Sequence, residues 1–253
     1  SLSLSPSWPL CPLSIVDYVI DMPGIFSDVA PGVSLKFLSR GSRKEEVLRI
    51  FQGIRGDDIL RAAVFDLMVG NCDRNAENIF VDDNGKITLI DNDMILTGKC
   101  VANSISLPTT ALHAREQNAK KASLLDMLDY RCHAKGGAIG TTYPPAIQKC
   151  MTKLQGMSTA EIAGVYGFPG QQAAHFLKLR VQQMLSMGFE WTLFQSLPLG
   201  SALGGKCAQH RFEDHTPCCE FVAREGKLVC ADPLWKPGAA DKVPVPSSGS
   251  RDC

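Results

Sequence analysis

Three oxygen-bearing side chains, Asp73, Asn78 and Asp91, fall within the stretch GNCDRNAENIFVDDNGKITLIDND that runs from Gly70 to Asp93. A hard cation such as magnesium is bound through a few oxygens plus phosphate. Asn78 and Asp91 supply an amide oxygen and a carboxylate of that kind, and Asp73 is left to face an incoming hydroxyl. The chemistry such a set serves is transfer of a phosphoryl group.

Local elements must bring these residues together. Asp57 to Val69 place Ile59, Leu60, Ala63, Val64, Leu67 and Met68 at helical spacing, with acidic residues at the start and Gly70 just past the end. The loop follows directly. Beyond it, Ile79 to Asp82 and Lys86 to Ile90 are short runs around Asp83, Asn84 and Gly85, and Asn-Gly favours a tight hairpin turn with positive backbone angles. The hairpin is expected to fold Asp91 back beside Asn78. The plainer reading is a surface loop whose Asp and Asn residues make turns.

The Asp-Arg-x-x-x-Asn frame, the hairpin and the apolar pair ending in Asp resemble the catalytic and metal-binding loops of the protein-kinase-like superfamily. Within it, GNCDRNAEN resembles the loop of the phosphatidylinositol 3- and 4-kinase family and its atypical protein-kinase relatives more than that of ordinary protein kinases. The resemblance covers about Asp57 to Leu96. It implies that Asp73, followed by Arg74, orients or deprotonates the acceptor. It also implies that Asn78 and Asp91 bind ATP through Mg2+ or Mn2+, with Asp91 on the metal that bridges the phosphates. Two departures stand out. Asn75 occupies a place where the family has His, and Asn92-Asp93 follow Asp91 where it often has Phe-Gly, so that Asp93 either adds a carboxylate to the metal site or faces water.

The rest of the chain sets bounds. It has 253 residues, 45% of them hydrophobic, enough for a sizeable core in one or two domains. Lys plus Arg and Asp plus Glu both number 26, so global charge steers the chain toward neither nucleic acid nor an anionic membrane. No apolar run reaches membrane-spanning length, and no transmembrane segment is expected. The first residue is Ser1 and no basic leader follows, which reads as a fragment or a processed product. Pro6, Pro9 and Pro12 make the opening irregular, and Ile15 to Ile20 read as a strand. SIVDYVIDMPG resembles the connector between kinase lobes, and reads more simply as a strand ended by Pro23-Gly24.

A phosphotransferase of this kind also needs a lysine and a covering loop over the nucleotide. No glycine-rich phosphate loop precedes Asp73. Lys36, with Glu45 or Glu46 as a partner, superficially looks like the clamp and reads better as a solvated strand or loop lysine. An upper lobe would lie before residue 1 or be absent.

Arg43 to Gln52 form an amphipathic helix. Past Asp93 the chain is irregular through Thr110, where a kinase-like fold keeps its substrate loop. Lys99, His113, Arg115, Lys120 and Lys121 there could attract a phosphorylated head group or an acidic peptide, or simply be solvated. Ala119 to Phe194 read as helices: Ser123 to Tyr130, Ala146 to Leu154 after Pro144-Pro145, one opened by Ser158-Thr-Ala-Glu161, and Gly170 to Met187. The last has Ala173, Phe176, Leu177, Val181, Met184 and Leu185 on one side and His175 at the edge of the core.

After Gly200, Cys207, His210, His215, Cys218, Cys219 and Cys230 suggest either zinc ligands or, better, an extended, partly disordered tail. Cys72, Cys132 and Cys150 read as isolated thiols. The expected fold is α+β and mainly helical, a protein-kinase-like C-terminal lobe with a catalytic loop and a β-hairpin. Its segments are 1–24, 25–199 and 200–253. The expected activity is ATP-dependent phosphotransfer to a phosphoinositide or protein hydroxyl; the ten cysteines do not fix the compartment, the cytoplasm being favoured, and oligomeric state is open. The alternative is a catalytically inactive binding or scaffold module.

Overall fold

The computed structural model describes residues 29–40, 44–92, 95–96, 108, 124–196, 217 and 219–231. These form an α+β, mainly helical fold. In chain order come β1 (Val33–Ser34), α1 (Leu35–Arg40), α2 (Lys44–Gly53), α3 (Gly56–Val69), β2 (Ile79–Val81) and β3 (Ile87–Leu89). Three short 3-10 turns cover Leu124–Leu128, Tyr130–Cys132 and Lys135–Gly137. Then follow α4 (Pro145–Gly156), α5 (Thr159–Tyr166), α6 (Gln171–Met187), α7 (Phe189–Ser196), β4 (Phe221–Arg224) and β5 (Lys227–Cys230).

The helix α3 is the core element. Ile59 and the whole run from Ala62 to Val69 are buried, including one acidic residue, Asp66. A helix apolar on nearly every side must be covered on every side, and α6, α7, β3 and the Tyr130–Cys132 turn all pack against it. It ends where expected. Gly70 takes φ 64° and returns its amide to Asp66 and Leu67 carbonyls, a left-handed stop that suits glycine. A Cβ there would come within 3.0 Å of the Phe176 ring on α6.

The sheet runs β1-β2-β3, antiparallel throughout. Ile79 faces Leu89 and Val81 faces Ile87, which leaves the loop Asp82–Lys86. The turn departs from the expected Asn-Gly geometry. Only Gly85 has positive φ, at 74°, while Asn84 does not. The Asp82 carboxylate instead accepts the amides of Asn84 and Lys86 at 2.8 and 2.9 Å, so one acidic side chain shapes the turn.

Helices α4 to α6 appear close to their expected limits, and the Ser158–Glu161 capping box is formed in both directions. On α6 the fully buried residues are Ala174, Leu177, Val181 and Met184, whereas Ala173, Phe176 and Leu185 are half-buried. His175, expected in or at the edge of the core, is exposed because it falls on the helix face opposite that stripe. Lys36 sits in the helix α1 rather than a strand.

The segment read as an extended tail contains a hairpin. β4 and β5 pair from Phe221↔Cys230 to Arg224↔Lys227 across a turn in which Glu225 and Gly226 both have positive φ. Phe221 is buried and its carbonyl accepts Gln52 Nε2 from α2 at 3.3 Å. The cysteines also differ from expectation. Cys132 and Cys219 form a disulfide, and Cys72, Cys150 and Cys230 are disulfide-bonded as well. Cys219 and Cys230 are therefore not zinc thiolates. The expected strand at Ile15 to Ile20, Lys99, His113, Arg115, Lys120, Lys121, Cys207, His210, His215 and Cys218 lie outside the described residues.

Candidate functional site

The loop between α3 and β2 is built from side chains that bond to nearby backbone. Asn71 Oδ1 accepts the Asp73 amide at 2.9 Å, and Asn75 Oδ1 accepts the Glu77 amide at 2.8 Å. Short polar side chains thereby replace the missing backbone ladder and bend the chain sharply. The amide of Lys36 on α1 donates to the Ala76 carbonyl at 3.0 Å, and its ammonium pairs with Glu77. The partner of Lys36 is thus a loop residue, not Glu45 or Glu46 of α2.

The loop closes on Arg74, which is completely buried. Its guanidinium reaches back to Asp66 on α3 through Nε and Nη2, both at 3.1 Å. Nη1 donates to the carbonyls of Asn78 and Ile90 at 3.1 and 2.7 Å, and Nη2 donates to Asn92 Oδ1. One planar group therefore ties α3, the start of β2 and the residues flanking Asp91 together. Arginine suits this because its donors form a rigid fork. Arg74, expected among the catalytic residues, is enclosed by protein on every side and holds the loop against α3 and the hairpin.

Around this clamp Asp73 and Asn78 are joined by a hydrogen bond, and the hairpin brings the backbone just before Asp91 alongside Asn78. The Ile90 amide donates to the Asn78 carbonyl at 3.1 Å, so Asp91 follows directly on the residue paired with Asn78. Asp91 is exposed and has φ 54°, a left-handed conformation that Asp tolerates better than most residues. Asn78 Nδ2 donates to the Asp73 carbonyl at 2.9 Å. That bond commits the amide nitrogen and turns the remaining oxygen, Oδ1, to other partners. Asp73 Oδ1 accepts Asn75 Nδ2 at 3.2 Å, so Asn75 orients the carboxylate of Asp73.

An amide oxygen and a carboxylate, here Asn78 Oδ1 and the side chain of Asp91, are donor types that a hard cation takes. Among the described residues no group of three or more His, Cys, Asp or Glu side chains is placed to hold a metal ion. Asp93 lies outside them. No family model, no curated protein and no solved structure matches the chain. Among the described residues no helix is long and apolar enough to cross a membrane.

Asp66 and Asn71 are the residues that sequence reasoning missed, and Asn75 and Asn92 stood out there only as departures from the family loop, without these hydrogen bonds. Asp66 carried a signal, a lone carboxylate in an otherwise apolar helical run, which calls for a buried cation. A second buried polar cluster lies away from the loop. Glu190 at the start of α7 accepts the amides of Ile139 and Gly140 at 2.8 and 2.9 Å. Beside it the Tyr130 phenol is pushed well above the usual tyrosine range, by burial first and then by the Glu190 carboxylate. These contacts fix the loop before α4 and leave the candidate site untouched.

Proposed function

We propose that this chain carries the phosphotransfer loop of a kinase-like lobe, resembling the phosphatidylinositol 3- and 4-kinases and atypical protein kinases, and acts on ATP and a hydroxyl acceptor. The observation that supports it is the Arg74 clamp. It brings Asp73, Asn78 and the backbone next to Asp91 into one small region although they are spread over the loop and both hairpin strands. In this reading Asn78 Oδ1 and Asp91 hold Mg2+ or Mn2+, which when bound neutralises charge on the transferring phosphates. Asp73, turned by Asn75, orients the acceptor hydroxyl and receives its proton. Acceptor choice, phosphoinositide or protein, depends on parts of the surface beyond the loop.

Binding of magnesium-ATP tests this reading, on this chain and on a longer chain that supplies a nucleotide clamp. Asp91→Ala is compared with wild type and with Asp83→Ala at the exposed hairpin tip. Loss of binding in the first variant alone is expected. Equal binding by all three would overturn the metal assignment. Folded protein with no nucleotide binding would favour the alternative, an inactive scaffold, which Asn75 in place of His also suits.

A further inference from the structure

We infer that this domain is built to fold in an oxidising compartment, and that its acceptor is therefore a side-chain hydroxyl of a protein travelling the secretory route; the second half rests on the phosphotransfer reading. Among the described residues no cysteine is free: Cys72, Cys132, Cys150, Cys219 and Cys230 are all disulfide-bonded. Structural disulfides persist where the surroundings are oxidising and are rare in the cytosol, where thiols are kept reduced. The exception in ordinary cytosol is the redox sensor, whose cysteines are solvent-accessible. Cys72 and Cys150 are only 6% and 3% exposed, which suits permanent cross-links and not sensors.

Placement supports the same conclusion. The Cys132–Cys219 bond spans 87 residues and joins the Tyr130–Cys132 turn to the chain entering β4. A lone two-stranded hairpin is marginal in water, and this one meets the helical body through α2. The cross-link fixes its open end. Cys72 is buried immediately before Asp73, so a covalent bond anchors the arm of the loop that carries the candidate base. The core around α3 is large, so these bonds do not substitute for a missing hydrophobic interior.

The compartment then selects the acceptor. Anionic phosphoinositides line the cytoplasmic leaflet, the face that a domain matured in the lumen does not meet. Proteins in transit present serine, threonine and tyrosine hydroxyls. The acceptor oxygen bonds to the γ-phosphorus of ATP, the bond from that phosphorus to the β–γ bridging oxygen breaks, ADP leaves, and the hydroxyl proton passes to Asp73.

Two measurements test this separately. In the cells that make the protein, thiols are trapped by acid quench and alkylation, and peptides are mapped without reduction. A linked Cys132–Cys219 peptide with none of the five cysteines alkylated is expected; alkylated Cys132 and Cys219 would overturn the compartment. Purified oxidised protein is then given labelled ATP with either dephosphorylated secreted proteins or phosphatidylcholine vesicles containing phosphatidylinositol. Label in the proteins, lost in Asp73→Asn, is expected; label in the lipid alone would overturn the acceptor. Linked cysteines without any magnesium-ATP binding would sink the acceptor assignment and the kinase reading while the compartment stands. Free thiols with Asp91-dependent ATP binding would do the reverse.

Discussion

The guanidinium of Arg74 meets the carboxylate of Asp66 at 3.1 Å, with both side chains fully buried. The carboxylate belongs to the central helix and the guanidinium to the loop, so this pair is the joint between core and candidate site. Its remaining donors go to the carbonyls of Asn78 and Ile90 and to Asn92. Removing one partner of a buried ion pair strands the other charge, which costs about 3–5 kcal/mol.

Arg74→Met and Asp66→Asn should therefore each lower unfolding free energy by about that amount. The double variant should lose less than the sum of the two, since the second change removes the charge stranded by the first. Arg74→Lys should also be poorly tolerated, because an ammonium cannot present the planar fork that reaches acceptors on four residues. Urea denaturation of wild type and the four variants decides this. Strict additivity would mean that the pair is not coupled.

The hairpin turn is equally restricted. Gly85 has φ 74°, and a Cβ there would lie 1.8 Å from the Gly53 carbonyl oxygen at the end of α2. Gly226 in the second hairpin has φ 67° with nothing within 4 Å of its Cβ position. Gly226→Ala should lose only the left-handed penalty, about 1–2 kcal/mol. Gly85→Ala must add displacement of α2, and thermal melts should show a clearly larger fall in Tm for it. Equal falls would mean that the turn moves away from α2 at little expense.

What was legible in the sequence was local. The helix α3, its glycine stop, the hairpin strands and the Ser158 capping box each depend on residues a few positions apart, and the structure has them. The role of Arg74 depends on Asp66 before it and Ile90 after it, contacts that no spacing rule states. Disulfide pairing is likewise tertiary, so Cys72, Cys132 and Cys150 looked solitary. The β4–β5 hairpin was missed because Glu225-Gly226 lacks the Asn or Asp that usually marks a turn with two positive φ angles. His175 was misplaced because a helical stripe read from sequence can be rotated by one residue.

Alkaline pH should loosen the region around Glu190. Burial and the Glu190 carboxylate raise the Tyr130 phenol well above its ordinary value of 10.0, and burial raises Tyr143 as well. A phenol whose folded pKa is raised contributes stability that is complete below the unfolded value, and this is lost as pH rises above about 10. Denaturation midpoints should hold steady up to pH 9 or so and fall beyond about pH 10. Tyr130→Phe should flatten part of that fall. An identical alkaline slope in the variant would show that Tyr130 is not its source.

At the acid end the relevant group is Glu161, the third residue of α5. Its pKa is lowered, first by the Ser158 backbone amide, which donates to Oε2 at 2.7 Å, and then by the Ser158 side chain. A carboxylate whose folded pKa is depressed contributes stability above its unfolded value, and this is lost as pH falls through the folded value. Glu161→Gln should therefore be less stable than wild type at neutral pH, and the difference should shrink once pH drops below about 4.5. Ser158→Ala removes the hydroxyl that accepts the Glu161 amide. It should lose about 1 kcal/mol, much of it independent of pH, because the accepting oxygen does not titrate. Thermal melts of the three proteins between pH 3 and 7 separate the two halves of the box. A Glu161→Gln difference that stays constant with pH would mean that the carboxylate's charge contributes nothing to the cap.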